Sequence, residues 1–94
     1  METIDIAFGE VLALLRREQK FSQRQLAAKS CLHSTFISML ERGRRQPSLQ
    51  TLFDIAHGLE IEATEFLYLI LQHQERATRQ ATKPLNIKLK RSKG

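Results

Sequence analysis

Apolar residues recur at Phe8, Val11, Leu12 and Leu15, the i, i+3, i+4, i+7 spacing of one helix face, and Thr3 or Asp5 can cap a helix running to about Gln19. That stripe predicts a core-facing helix, and Arg16, Arg17 and Lys20 near its end suit the negative pole of the helix dipole. Ser22 and Gln25 have the S-x-x-Q form of a capping box, so a second helix starts near Gln23. Its inward positions are Leu26, Ala27 and Ser30, and the two small ones let another helix axis cross closely. A third helix, laid out at about 100° per residue from Ser34, puts Phe36, Ile37 and Leu40 on an apolar side. Ser34, Thr35, Ser38 and Met39 fall on the other side. A solvated face usually carries Lys and Glu; short hydroxyls and a Met mark a face made for contact.

The run RGRRQP at residues 42–47 reads as a loop, with Gly43 free to take a left-handed turn and Pro47 blocking helix continuation. Two uses are open for Arg42, Arg44 and Arg45: neutralising phosphates beside a groove, or a solvated loop paired with Glu41 or Asp54. Ser48 caps a fourth helix whose Leu49, Leu52, Phe53, Ile55, Ala56 and Leu59 predict a core helix. Glu62 and Glu65 favour the positive start of a fifth, which can run about twenty residues until Pro84 discourages it. The apolar run 66–71 is wider than one core-facing stripe. Either a longer core wraps the surplus or a two-fold dimer interface covers it through Phe66, Leu67, Ile70 and Leu71, and the pattern does not say which of these face inward. Past Pro84, LNIKLK alternates as a strand does, yet it is too short to pair except with another molecule, and disorder is the equal alternative.

Residues 22–41, SQRQLAAKSCLHSTFISMLE, together with ERGRRQPSL at 41–49, resemble the helix-turn-helix DNA-binding domains of the lambda-repressor and Cro (XRE) type. With Gln23 as the first motif position, Ala27 is the family's small residue, Leu32 its turn hydrophobe, and Ile37 and Leu40 its recognition-helix core pair. The resemblance covers about residues 6 to 68. It implies an all-α, five-helix lambda-repressor-like domain over residues 1–71, followed by an extension of helix five and a basic tail over 72–94. It also implies double-stranded DNA as partner, with Ser34, Thr35, Ser38 and Met39 at base edges and Gln23, Arg42, Arg44 and Arg45 at phosphates. A homodimer would read an inverted repeat with half-site centres about 34 Å apart. At three positions where the family usually has a left-handed glycine, this chain carries Lys20, Cys31 and Glu60. His33 stands where a Ser or Thr cap is usual, which would let Ser34 become the cap.

Charge sharpens this picture. The net +5 divides unevenly: residues 1–70 hold eight Lys/Arg against nine Asp/Glu, and residues 71–94 hold seven against one. The body therefore meets DNA through local placement of cations, while the tail either adds basicity or keeps itself solvated. A single cysteine, Cys31, excludes an internal disulfide and fits a reducing cytoplasm. No run approaches the roughly 20 apolar residues of a membrane span, and METIDIAFGE is unlike a secretory signal. His33, His57 and His73 are scattered, and there is no glycine-rich phosphate loop or catalytic constellation. No metal, no cofactor and no enzymatic activity are expected. A small repressor is the expectation; the alternative is an antitoxin-like or adaptor module in which the helix-turn-helix is scaffold and the tail grips a protein partner.

Overall fold

The computed structural model describes residues 3–81, with side chains to residue 78. Five helices occupy them: α1 (Ile4–Glu18), α2 (Gln23–Ser30), α3 (Ser34–Glu41), α4 (Leu49–Leu59) and α5 (Ala63–Ala81). The strand expected at residues 85–90, and any protein partner held by the tail, lie outside the described residues.

Three of the starts are built by side chains. The Thr3 hydroxyl accepts from the Ile6 N–H, and Ser48 does the same for Thr51. Ser22 and Gln25 close a reciprocal box, Gln25 N–H to Ser22 Oγ at 3.0 Å and Ser22 N–H to Gln25 Oε1 at 2.8 Å. At α3 the expected shift of the cap does not occur. His33 is the N-cap, without a side-chain bond, and Ser34 is the first helical residue.

The first four helices all end in one way. A left-handed residue donates to the carbonyl three residues back, and the residue after it to the carbonyl five back: Lys20 and Phe21, Cys31 and Leu32, Gly43 and Arg44, Glu60 and Ile61. The φ angles of Lys20, Cys31 and Glu60 are 64°, 58° and 60°, so the three residues at family glycine positions keep the glycine conformation. A side chain there strains the backbone. Lys20→Gly, Cys31→Gly and Glu60→Gly are each expected to raise stability by a few tenths to about 1 kcal/mol, after the greater freedom of Gly in the unfolded chain is subtracted. The readout is the denaturant midpoint, and an unmoved midpoint in all three variants would contradict the strain. Phe21, Leu32 and Ile61, each following its left-handed residue, pack against the core; after α3 that position is the exposed Arg44.

Leu12, Leu26, Ile37, Leu40, Ile55, Leu59, Phe66 and Ile70 form the fully buried centre. Where α2 crosses α4, a Cβ on Gly58 would collide with Ser30 Oγ and come within 3.2 Å of Leu26 Cδ1, which is why α2 presents small residues there. Two expectations need correction. Helix α4 is not wholly core: Leu49 and Phe53, one turn apart, are 72% and 51% exposed. Phe66 and Ile70 cannot serve an intermolecular interface, because both are buried in the chain's own core, with the Phe66 ring 5.3 Å from that of Phe8. At about 100° per residue the run 66–71 winds past a full turn. Phe66 and Ile70 make the inward stripe, and Leu67, Tyr68 and Leu71 are left outside. Leu49 and Leu67 share the lining of a hollow of about 210 Å³ with Ile4, Pro47 and Leu52, so these two exposed leucines of α4 and α5 meet on one surface.

Candidate nucleic-acid interface

Ile37 and Leu40 are fully buried and anchor α3 by one side. On the other, Thr35 is exposed and Ser34, Ser38 and Met39 are half-exposed, so all four residues expected at base edges lie on the accessible side of the helix. The short side chains of Ser34, Thr35 and Ser38 leave the α3 backbone room for close approach to a partner surface.

The end of α3 is held by Glu41. Its carboxylate accepts from Arg16 Nε at 2.5 Å and Arg16 Nη2 at 3.0 Å, a two-pronged pair, and from Gln23 Nε2 at 2.9 Å. Arg16 Nη1 also donates to the Phe21 carbonyl at 2.8 Å. The Arg16 and Glu41 side chains are only 11% and 6% exposed, so this pair joins α1, the start of α2 and the end of α3 in a partly dry setting. The hydrogen bond from Arg16 to Glu41 raises the guanidinium pKa above its ordinary value, against the opposing effect of burial. Gln23, expected at a phosphate, is half-buried with an amide N–H bonded to Glu41. Arg16, assigned above only to the helix dipole, is a structural partner. The sequence spacings of 25 and 18 residues gave no local signal for either contact.

The loop arginines take neither pairing that was open to them. Glu41 is occupied by Arg16 and Gln23, and Asp54 accepts from Gln50. Among the described residues none of Arg42, Arg44 and Arg45 enters an ion pair, and all three are exposed. Arg45 lies over the Phe36 ring, 5.4 Å from its centroid. A further signal was legible in the sequence but not read: α2, α3 and α4 carry no acidic residue in their first turns, whereas α1 and α5 carry Asp5 and Glu65. None of these three helices has a carboxylate of its own in the first turn to oppose an anionic partner at that end, although Glu41 reaches the start of α2 through Gln23.

The helix-turn-helix family model matches residues 12–66, from within α1 to the first turn of α5. The chain belongs to the XRE-type helix-turn-helix family of DNA-binding transcription regulators. Within it, the chain is 37% identical over 59 residues to the uncharacterized HTH-type transcriptional regulator y4dJ of Sinorhizobium fredii, covering 63% of this chain and 77% of that protein. It is 41% identical over 66 residues to the control protein C.MunI of a Mycoplasma species, covering 69% and 89%. Among solved structures, the wild-type restriction-modification controller protein C.Esp1396I superposes with a TM-score of 0.74 at 28% identity, over 81% of this chain and 99% of that one. An XRE-type regulator needs no reactive centre, and no group of three or more His, Cys, Asp or Glu that could hold a metal occurs among the described residues. No described helix is long and apolar enough to cross a membrane.

Proposed function

We propose that this chain is a small, sequence-specific repressor that binds an inverted-repeat operator as a homodimer in the cytoplasm. The observation that carries this reading is the joining of an accessible α3 face, mostly of small residues, to three exposed arginines at its end that enter no ion pair among the described residues. Ser34, Thr35, Ser38 and Met39 read base edges, and Arg42, Arg44 and Arg45 bind the flanking phosphates. Gln23 adds a phosphate contact through its remaining amide hydrogen. Two-fold pairing through Leu67 and Leu71, with Leu49 beside Leu67, would cover outward apolar surface of α4 and α5 and set two recognition helices on one DNA face.

Selection from random double-stranded DNA tests the reading, with an enriched inverted repeat of half-sites about 10 base pairs apart as the expected result. Thr35→Ala should relax one or two positions of that site. Arg44→Ala should weaken binding to all sequences alike and flatten the salt dependence by about one unit. Failure to enrich any sequence would overturn the reading. Sedimentation at micromolar protein tests the dimer: Leu67→Glu should leave a folded monomer, and a monomeric wild type would remove the two-fold arrangement. A second reading, a restriction-modification controller, is favoured by the likeness to the restriction-modification controller protein C.Esp1396I over 99% of that chain. An operator lying beside restriction and modification genes would decide for it.

A further inference from the structure

Phe36 is the one residue of the α3 apolar side that is not fully enclosed. Ile37 and Leu40 have no exposure, whereas Phe36 is half-buried, packed against the core by one part and covered elsewhere by a charged side chain. That side chain is Arg45, whose guanidinium carbon sits 5.4 Å from the ring centroid. The chain reaches this position because α3 closes through Gly43 at φ 70°, with Gly43 N–H bonded to the Leu40 carbonyl and Arg44 N–H to that of Met39. This closure turns residues 44 and 45 back along the helix they have just left.

We propose that Phe36 is a positioning residue for DNA binding, acting through Arg45. The inference rests on the DNA-binding role given to Arg45 above. A guanidinium held over a ring face has fewer orientations open to it, so it meets a phosphate with less freedom to lose than an arginine moving in solvent. The Phe36 ring thereby links the orientation of the base-reading helix to that of the backbone contact at its end. A lysine at 45 would keep the charge without the planar guanidinium.

A double-mutant cycle on the selected operator tests this. Phe36→Leu and Arg45→Lys are each expected to weaken binding about three- to fivefold, the equivalent of one exposed cation–π contact. Arg45→Ala should weaken it further and flatten the salt dependence by about one unit, while Phe36→Leu leaves that slope unchanged. In the Arg45→Ala background Phe36→Leu should have no further effect, and Phe36→Tyr, which keeps the ring, should bind as the wild type does. Arg45→Lys leaves the core untouched, so it reads the stack even if Phe36→Leu folds poorly. Additive losses in the cycle, or full affinity in Arg45→Lys, would overturn the inference while leaving the DNA-binding reading intact. A wild-type protein that selects no DNA would overturn both.

Discussion

Glu41→Ala is expected to cost the domain about 3 kcal/mol, near the lower end for breaking a buried ion pair, because both side chains keep a little solvent contact. Removing the carboxylate does more than delete two hydrogen bonds. It leaves the Arg16 guanidinium, 11% exposed, with no counter-charge and only the Phe21 carbonyl as acceptor, and takes away the acceptor of Gln23. For a domain of this size the loss corresponds to a fall in Tm on the order of 15 °C. Arg16→Met combined with Glu41→Leu should recover most of it, since two apolar groups of similar volume leave no charge unpaired. Thermal unfolding of the single and double variants checks both halves. A Glu41→Ala protein melting within a few degrees of wild type would mean that water already satisfies Arg16.

Gly9→Ala is the second large effect. A Cβ at Gly9 would run into the Leu40 carbonyl oxygen and lie 2.9 Å from that of Glu41. The obstacle is backbone, which cannot swing aside as a side-chain tip can, so α1 must part from the last turn of α3. Overpacking of this kind costs about 3 kcal/mol, and the better helix propensity of Ala returns only about 1 kcal/mol. The net loss of about 2 kcal/mol predicts a Tm lower by about 10 °C, and Gly9→Val, with more bulk and no propensity gain, should not fold at 37 °C. Affinity for DNA should fall alongside, measured well below the melting temperature, because the displaced turn carries Met39. An unchanged Tm in Gly9→Ala would show that the two helices do not approach as described.

Both predictions concern contacts that periodicity does not reveal. Local signals did reveal a great deal: the Ser22 box and the stripe of α1 are each written within a few neighbouring positions, where chain geometry is short-ranged, whereas the left-handed Lys20, Cys31 and Glu60 were legible only through the family resemblance, since no glycine marks them. Gly9 differs because the reason for it is a carbonyl on another helix, and a missing side chain leaves no pattern to read. Glu41 is similar, its partners lying 25 and 18 residues away. The partition of residues 66–71 was illegible for another reason. A continuous apolar run offers several stripes, and only the docked position of α5 on α1 decides that Phe66 and Ile70 turn inward.

The recognition helix is only eight residues long, two turns, far short of the roughly 12–15 residues at which an isolated helix becomes marginal in water. Its shape is therefore on loan from its surroundings: the carbonyl-to-glycine crossing with α1, the Arg16–Glu41–Gln23 junction and the closure through Gly43. Specificity in this chain is consequently not portable as a peptide. A free segment of residues 34–41 would carry every side chain proposed to read bases and none of the register that lines them up. On the proposed reading, grafting Ser34, Thr35, Ser38 and Met39 onto the same frame of a relative should transfer the lettering, whereas moving the whole segment without its Arg16 and Gln23 counterparts should transfer the letters and lose the line they are printed on.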